Sequence, residues 1–165
     1  MAELQGGPYV PIGRVELLSH PRKTAFLTSR HTPPLCNDAI RVWLDSLSPS
    51  DDCVMVGNIQ KLEVDVLQGL LKRRVPAVLV LASPYPKMWP TYAVEAIGDG
   101  LMLVVTIAGL RGAATDMYAM AEWRNKYMIA NADRVVVGMC RPGGMLSRLL
   151  VAARSVTCLN EFRQV

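Results

Sequence analysis

Ala77-Val-Leu-Val-Leu-Ala82, closed by Ser83-Pro-Tyr-Pro86, is the stretch that decides the fold. It is apolar at every position, with no alternation that would give it a wet face. A run of this kind is the mark of a strand covered on both sides in a parallel sheet. The prolines that follow stop it, because each lacks the N–H a ladder needs. The same grammar repeats on either side. Upstream, Thr24-Ala-Phe-Leu-Thr28 and Cys53-Val-Met-Val56 read as strands; downstream, so do Leu101 to Thr106, Arg134 to Gly138 and Ser155 to Leu159.

Helical spacing fills the intervals. Asn37 is placed to cap a helix carrying Ile40, Trp43, Leu44 and Leu47. Leu62, Val66, Leu67, Leu70 and Leu71 mark the next, and Thr91 to Ile97 a short one stopped by Gly98 and Gly100. Asp116 caps the longest, which runs to about Asn131, and Gly144 to Ala153 forms the last. Ile107 to Thr115 reads as a loop. Strands that alternate with helices in this way predict an α/β fold: a Rossmann-like, doubly wound, mostly parallel sheet of about six strands with helices on both faces. The expected strand order is 3-2-1-4-5-6. That order puts the switch point, where ligands approach the carboxyl ends, between the first and fourth strands. The flanking loops would then be Ser29 to Pro34 and Ile107 to Thr115. Residues 1–21, with Gly6, Gly7, Pro8, Pro11 and Gly13, read as an irregular arm in which Arg14 to Leu18 forms a short edge strand; residues 22–165 read as one domain.

Composition agrees with a packed domain. The chain has 165 residues, 51% of them apolar and 19% charged, enough for one core and short for two. No apolar stretch approaches the ~18 residues of a membrane span, and the first ten residues lack a hydrophobic signal core, so a cytoplasmic protein is expected. Cys36, Cys53, Cys140 and Cys158 are far apart with no C-x-x-C pair, and only His20 and His31 accompany them. The cysteines read as small hydrophobes, and no metal site or cofactor is expected. The net charge is +4, and residues 111–165 hold the whole excess, with eight bases against four acids. Such charge suits a solvated face or a field that attracts a nucleotide or a nucleic-acid strand.

Three segments converge on the carboxyl edge of the expected sheet as candidate phosphate ligands. Ser29, Arg30 and His31 follow the first strand and offer a hydroxyl, a guanidinium and backbone amides. Arg124, Asn125 and Lys126 lie in the long helix; Arg124 and Lys126 are too close in sequence to share a face fully, and Asn125 inside a helix suggests a hydrogen-bonding task. Gly143 and Gly144 open the last helix, with Ser147 behind them, so that amides can approach a phosphate closely. An ordinary turn or a solvated helix face accounts equally for each segment alone. No G-x-G-x-x-G, Walker lysine, G-x-S-x-G or H-E-x-x-H pattern is present. Glu63 and Asp65 are two apart on a helix and point away from each other. Tyr85, Trp89 and Tyr92 either stack bases or pack down onto the domain.

In order and spacing, residues 24–159 resemble the core of the DNA-processing protein A (DprA/Smf) family, in the Rossmann-like SLOG superfamily that also holds the Lonely Guy phosphoribohydrolases. Arg124-Asn-Lys-Tyr-Met-Ile-Ala-Asn-Ala-Asp133 followed by Val135-Val-Val137 is similar to that family's R-N-R-x-I-x-x-x-S-D-x-V-x-V segment. Arg141-Pro-Gly-Gly-Met-Leu-Ser147 stands for its S-G-S-L-x-T turn, Thr28-Ser-Arg30 for its G-S-R, and Ala77 to Pro86 for its strand ending in Tyr-Pro. The glycine-rich S-G-x-x-x-G-I-D turn becomes Val56-Gly-Asn-Ile-Gln-Lys-Leu-Glu-Val-Asp65, which keeps Gly57 and Asp65, loses the second glycine and brings in Lys61.

The resemblance implies a divergent binding module without catalysis, whose partner is single-stranded DNA or another nucleotide-like phosphate ligand. Its implied ligand set is Ser29, Arg30, His31, Gly57, Lys61, Arg124, Asn125, Lys126, Gly143, Gly144 and Ser147. The phosphoribohydrolase branch places a glutamate after P-G-G; here Met145-Leu-Ser-Arg-Leu-Leu150 follows instead, with no acid to stabilise a cationic sugar. The alternatives are an enzyme acting on a nucleotide or its sugar, and a degenerate structural domain that forms a homo-oligomer. No membrane partner is expected.

Overall fold

Each central strand sends alternate side chains to opposite faces, and in this chain both faces are apolar. Ala25 and Leu27, Cys53 and Met55, and Val78 and Val80 join one buried cluster; Phe26, Val54, Val56, Leu79 and Leu81 join the other. A sheet built from such strands must be covered twice. The computed structural model, which describes residues 4, 7–111 and 116–161, shows that arrangement. Its strands are β1 (Ile12–Gly13), β2 (Lys23–Leu27), β3 (Cys53–Val56), β4 (Ala77–Leu81), β5 (Met102–Thr106), β6 (Arg134–Val137) and β7 (Val156–Cys158). Its helices are α1 (Asn37–Asp45), α2 (Lys61–Lys72), α3 (Thr91–Gly98), α4 (Ala108–Arg111), α5 (Met117–Asn131) and α6 (Met145–Leu149). Residues of α1, α2 and α3 cover one face, with Ile40, Leu70 and Ala93 buried there. Met120 and Met128 of α5 and Leu146 of α6 cover the other. The doubly wound reading of the sequence holds.

The sheet order is β1-β5-β4-β3-β2-β6-β7, parallel throughout except for β1, which runs antiparallel to β5. The expected order is therefore corrected. The fourth strand of the sequence reading, β5, does not return beside the first; it continues outward next to β4, with Leu79 opposite Val104. Each step from β2 to β5 goes to the adjacent position, the short crossover that consecutive βαβ units favour. Only the connection through α5 reverses direction and sets β6 against β2, with Ala25 opposite Val135. The switch point thus lies between β2 and β6. Its loops are those after Leu27 and Val137.

Smaller expectations also shift. The edge strand of the arm is Ile12–Gly13, while Val15–Ser19 is a 3₁₀ turn that buries Leu17. Gly13 adopts φ +113°, and a side chain there would strike the Met102 carbonyl, so the chain turns sharply off β5. Asn37 begins α1 without capping it, because the 3₁₀ turn Pro34–Cys36 leads directly into the helix. Within the expected loop after β5, Ala108–Arg111 is helical, and its start is fixed by Thr106 Oγ1, which accepts the Ala108 N–H at 3.1 Å. The remainder of that loop lies outside the described residues. Tyr85 and Trp89 pack against each other with ring centroids 5.8 Å apart, and the Tyr85 hydroxyl donates to the Val10 and Val104 carbonyls. Those aromatics belong to the core. Cys36 and Cys53 are buried as expected, whereas Cys158, on the edge strand β7, is exposed. No helix among the described residues is long and apolar enough to cross a membrane.

Candidate nucleic-acid interface

The turns after β2 and β6 are knitted together at the switch point. Ser29 donates its N–H to the Met139 carbonyl at 2.8 Å, and its hydroxyl accepts the Arg141 N–H at 2.8 Å. Thr28 and Thr32 share a hydroxyl–hydroxyl bond of 2.9 Å, and Thr32 Oγ1 donates to the Ser29 carbonyl. This bracing holds the backbone of His31 in the left-handed region, at φ +58°, which side chains other than glycine seldom adopt. The side chain of His31 is exposed.

Between these turns, the loop after β3 and the first half of α5, there is a cavity of about 240 Å³. Polar groups reach it from four elements: Thr28, Ser29 and Arg30 after β2, Gln60 before α2, Tyr118 and Asn125 on α5, and Arg141 after β6. No aspartate or glutamate lines it. The Arg30 guanidinium lies over the Tyr118 ring, 5.6 Å from its centroid. At an exposed site such a contact is worth about 0.5–1 kcal/mol, little enough for an incoming phosphate or base to replace it.

Arg124 forms the floor and is buried. Its Nη1 and Nη2 meet Glu63 Oε2 and Oε1 at 2.9 and 3.1 Å, and its Nη2 and Nε also donate to Asn125 Oδ1 at 2.9 and 3.2 Å. Glu63 Oε2 further accepts the Ile59 N–H at 3.1 Å. The charge of Arg124 is thereby neutralised within the protein. Its role here is to position Asn125, whose carboxamide NH₂ faces only the Met145 sulfur, at 3.8 Å. Gly57 lies beneath this network, where a β-carbon would collide with the guanidinium and with Glu63 Oε2.

Of the residues drawn from the sequence, Ser29, Arg30, Arg124, Asn125 and Gly144 line the cavity together. His31, Gly57, Lys61, Lys126, Gly143 and Ser147 do not line it. Lys61 pairs with Asp65 at 2.8 Å on the exposed side of α2, and Gln60 takes the inward position. Lys126 projects from the other side of α5, with its ammonium 5.7 Å from the Trp123 ring centroid; two residues of helix turn it ~200° from Arg124. Gly143 takes φ +74° at an exposed turn, and the Gly144 N–H is engaged by the Arg141 carbonyl at 3.3 Å. Burial, with Cys158 nearby, raises the Cys140 thiol above its ordinary value and so disfavours the thiolate.

The sequence reading passed over Glu63, Gln60, Tyr118 and Arg141 as site residues. A signal for Glu63 was available, since it continues the apolar stripe of Val66, Leu67 and Leu70 on the buried side of α2. An acid on such a stripe needs an internal partner. Nothing local marks Tyr118 or Arg141, because only the switch point brings them together.

No protein-family model matches the sequence, and no curated protein matches it. Solved structures do. The fold is similar to that of DNA processing protein A from Streptococcus pneumoniae, with a TM-score of 0.68 at 14% identity, over 90% of this chain and 53% of that one. It is also similar to DNA processing protein A from Helicobacter pylori, a structure concerned with the single-stranded DNA binding mode of that protein, with a TM-score of 0.64 at 15% identity, over 90% of this chain and 75% of the other. The chain therefore has a DprA-like Rossmann fold and spans about half the length of the pneumococcal protein.

Proposed function

We propose that the carboxyl edge holds the phosphodiester backbone of a single-stranded nucleic acid and carries out no reaction on it. The observation that supports this reading is the cavity between β2 and β6, where the guanidinium-bearing Arg30 and Arg141, two hydroxyls and the Asn125 amide converge without a carboxylate in the lining. Guanidinium groups match phosphate oxygens in charge and in geometry. The Tyr118 ring adds a face on which any base can stack. At about 240 Å³ the cavity is smaller than the pockets that enclose drug-sized ligands, ~300–1,000 Å³, and so suits one unit of a strand whose remainder lies outside. The Helicobacter pylori neighbour is a structure concerned with single-stranded DNA binding, which supports this reading. Among the described residues no carboxylic acid lines the cavity, where a glycosidic hydrolase would need one.

The test is fluorescence anisotropy with a labelled oligothymidylate at several salt concentrations. Arg30→Ala and Arg141→Ala should each weaken binding, and each lost phosphate contact should flatten the plot of log affinity against log salt by about 0.7. Binding that both variants leave untouched would overturn the proposal. Release of a free base from a nucleoside monophosphate would establish the enzymatic alternative instead.

A further inference from the structure

The basic excess of the last third of the chain does not collect at the carboxyl edge. Four of its eight bases, Lys126, Arg134, Arg148 and Arg154, line a groove of about 800 Å³ at the opposite, amino edge of the sheet, where Lys23 joins them. Asp133 is the one acid in the lining. The topology dictates this. β2, β6 and β7 are parallel neighbours whose starts are staggered by one residue each: Thr24 is opposite Arg134, and Val135 is opposite Val156, so all three open at the amino edge. Lys23 and Arg134 thus open adjacent strands one residue out of level, Arg154 lies two residues ahead of β7, and Asp133 sits among them with its Oδ2 accepting the Lys23 N–H at 2.7 Å. Lys126 from α5 and Arg148 from α6 form the walls.

Two of these cations are not explained by ion pairing among the described residues. Arg134 and Arg154 are exposed, and neither has a carboxylate partner among the described residues. Lys126 lies over the Trp123 ring, the Lys23 ammonium donates to the Leu18 carbonyl, and Arg148 donates to the Tyr118 hydroxyl at 3.3 Å and reaches Glu122 at 3.9 Å. The carboxyl end of α5 attracts cations, but its last turn contains no basic residue of its own.

We infer that this amino-edge groove is a second nucleic-acid contact, one that grips backbone phosphates regardless of sequence or strand number. Cations gathered along a trough fit a linear polyanion, whereas a bilayer would need a convex or flat face. Among the described residues no phenylalanine, tyrosine or tryptophan lines the groove to stack a base or to anchor a protein partner. It therefore accepts duplex and single strand alike, in contrast to the cavity at the carboxyl edge. With both edges engaged, one molecule holds two segments of nucleic acid.

The test compares wild type, Arg134→Ala/Arg154→Ala and Arg30→Ala/Arg141→Ala on labelled single-stranded and duplex oligonucleotides across a salt series. The amino-edge pair should flatten the salt slope by about 1.4 on single strands and about 1.8 on duplex, and Arg134→Lys/Arg154→Lys should restore it. The carboxyl-edge pair should act on single strands alone. If it has no effect while the amino-edge pair does, this inference stands and the carboxyl-edge proposal fails. An amino-edge pair that binds both probes as wild type does would overturn the inference. So would loss of binding to phosphatidylserine vesicles with an unchanged oligonucleotide slope, which would assign the groove to a membrane surface. Because both arginines are exposed, the melting temperature should not move, and this separates lost binding from lost folding.

Discussion

Gly57, Glu63 and Arg124 form one unit in which each residue type follows from the other two. The guanidinium crosses the Cα of Gly57, leaving no volume for a side chain, and the Glu63 carboxylate closes a two-bonded pair with Arg124 under full burial. A buried pair of this kind adds little net stability, since desolvation offsets most of the attraction, but losing one partner strands a charge. Glu63→Gln and Arg124→Leu should each cost about 3–5 kcal/mol in urea unfolding, and Glu63→Leu/Arg124→Leu should cost clearly less than the two together. Additive losses would show that the pair does not act as a unit. Because Arg124 holds Asn125, the single variants should also loosen nucleic-acid binding, and this effect should track their loss of fold.

At the scale of elements, α5 links the core to the site. Its inward face mixes Met120, Ala121 and Met128 with the buried polar Arg124 and Asn125, so no clean apolar stripe marks which side faces the sheet. Its start is well defined: Asp116 accepts the Ala119 N–H at 2.9 Å and satisfies one of the amides that the first turn leaves free. Asp116→Ala should remove about 1 kcal/mol, seen as a fall of ~2–4 °C in melting temperature for a chain of this size, while Asp116→Asn should be nearly silent. The capping residue and length of α5 and the positions of the parallel strands were legible in the sequence, because local hydrogen bonding and periodicity dictate them; the short edge strand was not. The inward placement of Arg124 was not, because it depends on a carboxylate 61 residues earlier on α2.

The whole molecule should be sensitive to alkali. Burial raises the Cys53 thiol to about 12 from an ordinary 9.0 and the Tyr85 hydroxyl to about 12 from 10.0. Both groups keep their protons longer when folded than when unfolded. Their contribution is complete below the unfolded values and is lost as pH rises toward the folded ones, at about 1.4 kcal/mol per pH unit for the deeply buried Cys53 and less for the half-buried Tyr85, where solvent screens the effect. Urea midpoints should therefore begin to fall near pH 9 and steepen above pH 10, and Cys53→Ala should remove the first part of that decline. A midpoint that is flat from pH 9 to 11 would contradict the burial of both groups.

Apolar periodicity by itself determined that this chain is a parallel sheet with two covered faces, since Ala77 to Leu81 and its neighbours have nowhere to go but inside. It also located the turns after β2 and β6 that flank the cavity. Strand order lay beyond it, because neighbouring strands of equal apolarity are interchangeable until the crossovers place them, and β5 went outward where a return was expected. Charge followed the same rule. The sequence marked the last third as basic, but only the tertiary placement of α5, β6 and the segment before β7 brings Lys126, Arg134 and Arg154 to one groove at the amino edge, while Arg124 turns inward to Glu63. Local patterns specify what each segment becomes; which side chains meet is set by packing between segments far apart in the chain.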